Sequence, residues 1–227
     1  MTRNAITTKS VTAISLTAAH LSLGAVVTFL VLLASLPIIE PEFDPSWRFM
    51  SEYALGNYGW VMMIGFFSLA LSCAALFAAI RSQISTKGGK IGLGFLLVVA
   101  AALVAAGIFP QDPVTAKPDE LTTHGNLHGL AAMVGIPGFA VAAVLISLSL
   151  VRNQAWFSAR RSLLWMANLY WIALVAMFVY LGVALPQAGG FGPGVYVGWF
   201  NRLVVLAQCA WLMTVAWHAT QLSKQTA

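Results

Sequence analysis

Stretches without a single Asp, Glu, Lys or Arg run over 10–39, 53–80, 91–111, 121–151, 162–201 and 203–223. Each exceeds the roughly 20 residues that a helix needs to cross a hydrocarbon core of about 30 Å. The fifth is long enough for two spans, but LPQAGGFGPG at 185–194 interrupts it. Pro and Gly do not continue a helix cheaply. The pattern therefore predicts six helices, at about 14–36, 57–80, 91–109, 124–150, 162–184 and 198–220. In lipid, every backbone N–H and C=O must find its partner within the protein, which a helix achieves inside one segment. The alternating segments of about ten residues that mark a membrane β-barrel are not visible. The expected fold is all-α, a polytopic membrane bundle of six transmembrane helices forming one domain over 1–227.

Composition strengthens this reading. Charged residues make up 8% of the chain, apolar residues 59%, and the mean hydropathy is +0.83. An ordinary globular domain carries about 25% charged residues. Too few charges remain to cover a water-exposed surface, so a soluble enzyme, a disordered chain and a nucleic-acid binder are excluded. The apolar run of the first segment is also far longer than the core of about 7–15 residues in a secretory signal, which makes it a span.

The charges then set an orientation. Arg3, Lys9, Arg81, Lys87, Lys90, Arg152, Arg160, Arg161 and Lys224 fall on one side of the predicted bundle; Arg48, Lys117 and Arg202 fall on the other. Basic residues concentrate on the cytoplasmic side, so both termini are expected inside. The net charge of +5 is then an excess at the inner face, with no nucleic acid implied. All seven carboxylates (Glu40, Glu42, Asp44, Glu52, Asp112, Asp119 and Glu120) fall on the outer side. Tyr58, Trp60, Tyr196 and Trp199 suit an outer interfacial belt, and Trp156, Trp165 and Trp217 an inner one. Cys73 and Cys209 read as packing residues at different depths, without a disulfide.

Polar groups within or beside the membrane are costly unless paired, so they are the natural candidates for function. His124 and His128 in THGNLHG are one helical turn apart on one face, with His128 roughly 6 Å deeper. Pro118 suits the first position of that helix, with Asp119 and Glu120 in its first turn. Such a histidine pair chelates Zn²⁺ when a third ligand arrives from elsewhere. Asp112 in FPQDP could supply that ligand, and Glu52 in MSEYAL could serve as general base. The same histidines can equally hydrogen-bond between helices, and Gly125 and Gly129 beside them suit close packing or room for a ligand. Pro137-Gly138 should kink the helix in its middle. Arg202 in GWFNRL lies a turn inside the last helix and calls for a carboxylate partner, Glu52 or Asp112 by depth. His20 and His218 have no evident partners. Neither a phosphate loop, a GxSxG elbow, an HExxH helix nor a CxxC pair is present. Four histidines on three helices do not give the pattern of a dihaem cytochrome, and a single bis-histidine haem is poorly supported.

Four segments in order on one membrane face (FDPSWRFMSEYALGNYGWVM, FPQDP, HGNLHG and GWFNRL) resemble the domain-of-unknown-function 998 family. The resemblance covers nearly the whole chain and the six-helix layout. Two positions depart from the family pattern: Gln111 stands where Thr is common before the Asp, and Asn201 where Glu or Gln is common before the Arg. The resemblance implies an integral membrane protein of the prokaryotic inner membrane and supplies no activity. The layout is also similar to six-helix eukaryotic membrane families of lipid remodelling, a likeness that carries no function.

These residues sit at one depth near the outer ends of four helices. The expectation is an outward-facing polar pocket built from Glu52, Tyr53, Asp112, His124, His128 and Arg202. The first reading is a protein that binds a small molecule or lipid headgroup, or an accessory or sensor subunit beside another membrane protein. The alternative is a metal-dependent hydrolase of a lipid-linked substrate, with Zn²⁺ on His124, His128 and Asp112 and Glu52 as base. A transporter is third, lacking internal repeats and charges at mid-membrane.

Overall fold

The computed structural model describes residues 14–226. Arg3 and Lys9, two of the basic residues expected inside, lie outside the described residues, as does the side chain of Lys224. Six long helices carry the fold: α1 (Leu16–Ile39), α2 (Gly59–Ile80), α3 (Lys87–Ile108), α4 (Thr123–Leu150), α5 (Arg160–Val179) and α6 (Val197–Thr226). All six are long and apolar enough to cross a membrane, and no strand occurs among the described residues. The chain is an all-α polytopic membrane bundle.

Local chemistry explains where the helices differ from expectation. Thr86 takes the amide of Gly89 at 3.0 Å, so α3 starts at Lys87, ahead of the apolar run. Lys87 and Lys90 can extend along the helix toward water from there. Pro118–Glu120 forms a separate 3₁₀ turn and is not the first turn of α4. The reason is Thr122, whose extended backbone and hydroxyl, bound to the Gly125 amide at 3.0 Å, start the helix at Thr123. At the other interrupted point, α5 runs past Val179 through a π-helical turn, Tyr180–Ala184, and a last turn, Leu185–Gln187.

Each helix packs on its neighbours in sequence and α6 closes the ring against α1, while α2 also reaches α6 across the centre. The seam between α4 and α5 is the thinnest of the ring. It is tight from mid-membrane toward one end. There Tyr170 donates to the Ile136 carbonyl at 2.8 Å, Phe139 stacks against Tyr170 and Trp211, and the Trp211 indole donates to Ser147 at 3.0 Å. That tight end carries Arg81, Lys87, Lys90, Arg152, Arg160 and Arg161; the other end carries all seven carboxylates. These are the basic and the acidic end of the bundle.

Neutral pairs knit the basic end: Asn153 to Gln83 at 3.1 Å, Thr86 to Ser149 at 2.9 Å, and Ser162 with His218 at 3.3 Å. His218 thus has a partner that its position in the sequence did not suggest. His20 is exposed. Trp165 and Trp217 are exposed as a belt requires, and so are Tyr58, Trp60, Tyr196 and Trp199 at the acidic end. Trp156 is the exception. It is fully buried in the core and belongs to no belt. Cys73 and Cys209 are both buried and free.

Candidate functional site

The segment between α1 and α2 folds back over the acidic end as a 3₁₀ helix, Met50–Leu55, with Met50, Ser51, Glu52 and Tyr53 buried. Glu52 is its hub. One oxygen accepts from Arg48 Nη1 at 2.7 Å and from the Val114 amide at 3.2 Å; the other accepts from the Phe49 amide at 3.0 Å. A carboxylate without water contact is tolerated because these donors replace its hydration. The Arg48 guanidinium also lies 4.2 Å from the centre of the Trp47 ring. Glu52 therefore ties the first loop to the loop between α3 and α4, and Ser51 repeats the tie by donating to Gln111 Oε1 at 2.6 Å.

Arg202 does not form the expected ion pair. Among the described residues the one ion pair is Arg48 with Glu52. Arg202 Nη1 instead donates to the carbonyls of Pro45 at 3.0 Å, Arg48 at 2.8 Å and Gly198 at 3.1 Å. Arg48 reaches Glu52 from within the same turn and claims it first. Beside Arg202, the Ser46 carbonyl caps α6 by accepting from the amides of Gly198 at 2.9 Å and Trp199 at 3.3 Å. A side chain at residue 198 would collide with the Pro45 carbonyl, so this approach needs glycine. Asn201 completes the clasp by accepting from the Met50 amide at 3.1 Å. Tyr53 packs under Arg202 and donates to the Phe43 carbonyl at 3.2 Å. Burial pushes its phenol up from the ordinary range, against the opposing pull of the Arg202 charge. On the rim, the Ser46 amide donates to Asp44 at 2.8 Å and holds its carboxyl below the usual range.

The residues around α4 have separate tasks. Asp112 accepts from the Thr122 amide and hydroxyl, both at 2.8 Å, and lies against Gly125, where a Cβ would strike it. His128 is buried, with Nδ1 2.8 Å from the Phe109 carbonyl that the end of α3 leaves free. Pro110 follows, and its ring cannot carry the helix on. His124 is exposed, with its ring edge-on to Phe109 at 5.5 Å. Among the described residues no three His, Cys, Asp or Glu side chains converge as a metal site. The proposed zinc ligands are thus brought near one loop but not to one point.

Below the clasp lies a cavity of about 600 Å³, bounded by α2 to α6. Its walls are chiefly apolar, with polar groups from Ser51, Gln111, Asp112, Asn126, Asn201 and Gln208 and one ring from His128. Of the six residues proposed from sequence, Asp112 and His128 line it. Glu52, Tyr53 and Arg202 build the clasp above, and His124 stands outside.

A protein-family model described as "Protein of unknown function (DUF998)" matches residues 22–218. The chain belongs to this family. The DUF998 match runs from within α1 to within α6 and takes in both the clasp and the cavity. Neither a curated protein nor a solved structure matches the chain. Gln111 and Asn201 are cavity residues that also bind the Met50–Leu55 turn. Sequence reasoning overlooked Gln208, buried in α6 roughly 16 Å beyond the start of that helix. Its signal was a long amide in the middle of a span. It likewise overlooked Glu40, a buried carboxylate that accepts from the Tyr58 amide at 2.6 Å and anchors the start of α2.

Proposed function

We propose that this chain is a ligand-binding protein of a prokaryotic inner membrane, with both termini in the cytoplasm. Its ligand, a small molecule or a lipid headgroup, enters a cavity at the extracytoplasmic end. The observation that carries this reading is the 600 Å³ cavity under the clasp. Ligand sites typically measure about 300–1,000 Å³, with mostly apolar walls and a few placed polar groups. The excess of basic residues at the opposite end supports the orientation. No reactive constellation stands in the wall, so binding explains the site better than hydrolysis. A role as accessory or sensor subunit fits a receptor of this kind.

Two experiments test the proposal. A cysteine placed at Ala116 should react with a membrane-impermeant maleimide in intact cells, where the buried Cys73 and Cys209 stay silent; protection would reverse the orientation. Solvent extraction of the purified protein should release a compound in near-equimolar amount. Gly129→Leu should abolish this, because residue 129 lines the cavity and a Cβ there meets no atom within 4 Å. Equimolar Zn²⁺ that vanishes in the His124→Ala, His128→Ala double variant would favour the hydrolase instead.

A further inference from the structure

Two features of the cavity narrow what it can hold, and both rest on the binding role proposed above. The first is its route to the surrounding lipid. Toward the acidic end α4 is bare on its α5 side. Met133 of α4 and Phe178 of α5 both line the cavity, yet are 76% and 52% exposed. Pro137, also in the wall, marks where the seam closes, one residue beyond the Ile136 carbonyl that Tyr170 binds. The cavity therefore reaches the lipid-facing surface through the gap between α4 and α5. From Gly125 to Pro137 it follows α4 for about 18 Å, deep into the span.

The second feature is the character of its polar groups. Gln208 is 6% exposed, and its amide nitrogen lies beside the Cys73 thiol, a weak acceptor, with no oxygen partner. The amide nitrogen of Gln111 is likewise buried and unpartnered, while Ser51 occupies its oxygen. Two N–H donors, at the loop and deep in α6, are thus buried without an oxygen acceptor on residues that line the cavity, where a turn of either amide would present its N–H to a ligand. A buried donor without a good acceptor carries a desolvation cost, which an acceptor on a ligand would recover. No Lys or Arg belongs to the wall: Arg48 is taken by Glu52, and Arg202 by the loop carbonyls. The one charged side chain that lines the cavity is a carboxylate, Asp112. An anionic headgroup would find repulsion and no counter-charge.

We infer that the cavity binds an uncharged amphiphile bearing carbonyl oxygens, which enters from the bilayer between α4 and α5 and accepts hydrogen bonds from Gln111 and Gln208. Ester carbonyls of an uncharged glycerolipid and ring carbonyls of an isoprenoid quinone share this chemistry. Native mass spectrometry of the full-length protein, stripped of lipid in mild detergent, tests it with four probes. These are dioctanoylglycerol, a short-tailed quinone, dioctanoyl phosphatidic acid, and an alkane of matched length.

One equivalent of diacylglycerol or quinone should bind, at least about tenfold tighter than phosphatidic acid or alkane, and the tighter of the two names the source. Gly129→Leu should abolish that binding. Gln208→Leu should weaken it about tenfold, a loss on the scale of one or two hydrogen bonds. Gln111→Leu should act similarly, and if losing the Ser51 contact unfolds it, Gln208→Leu decides alone. Phosphatidic acid binding as tightly, or affinities unchanged in Gln208→Leu while Gly129→Leu still abolishes them, would overturn the uncharged-carbonyl assignment and leave the cavity as a ligand site. Binding of every probe unaffected by Gly129→Leu would overturn the cavity reading itself.

Discussion

The clasp and the cavity beneath it treat polar groups in opposite ways. In the clasp, the strongest charges are matched: Glu52 by Arg48 and two amides, Arg202 by three carbonyls. In the cavity beneath it, Asp112 is the one carboxylate and is held by Thr122, the other polar groups are chiefly uncharged amides, and two of these keep an N–H without an oxygen acceptor. Both places keep buried N–H groups without a partner, Arg48 Nε and Arg202 Nη2 in the clasp among them; the difference is that every charge in the clasp is held by at least one strong partner. A buried charge left unpaired is far more costly than an idle amide, so charges are spent on structure and amides are left for recognition.

If that contrast is right, the clasp should fail when a charge loses its partner. The largest effect is expected for Glu52→Ala, which strands Arg48 and the amides of Phe49 and Val114 together. Breaking a buried pair from one side costs about 3–5 kcal/mol, which thermal unfolding in detergent would register. A loss below about 1 kcal/mol would show that water already reaches the pair. Arg202→Met comes next, at about 2–3 kcal/mol. It leaves the carbonyls of Pro45 and Arg48 bare but also removes a costly buried cation, so the net loss is smaller. Thr122→Ala should cost about 1 kcal/mol, the usual value of an N-cap, through the α4 amides and Asp112 together. Hydrogen exchange should localise that loss to the first turn of α4.

How much of this was legible depended on the range of the interactions. The six spans follow from charge-free length alone, because lipid imposes the same demand on every residue of a span. The residues of the clasp were also visible, since a charge near a membrane stands out. Their pairing was not. Glu52 and Arg202 lie at similar depth, yet Arg48, four residues before Glu52, takes the carboxylate, and a sequence cannot rank a local partner against a distant one. The start of α4 turned on whether Pro118 or Thr122 acted first, and that was settled by Asp112 from the preceding loop. The cavity was least legible. It exists because α4 stays away from α5 over its first half, a property of the space between helices that no single residue records.

The smallest predicted effect has the opposite sign and separates the two regions most sharply. Gln208→Leu, measured on lipid-stripped protein, should raise stability by about 0.5–1 kcal/mol. It replaces an amide whose nitrogen has no oxygen acceptor, only the Cys73 thiol beside it, with an apolar group of similar size, where a poorly satisfied buried donor otherwise carries a desolvation cost. In the clasp every comparable substitution should destabilise. The same variant with ligand present should lose that advantage, because the amide is then engaged and its removal costs binding. A stability change of the same sign with and without ligand would mean that Gln208 is structural, and that the contrast between charges held by the clasp and amides left for recognition does not hold.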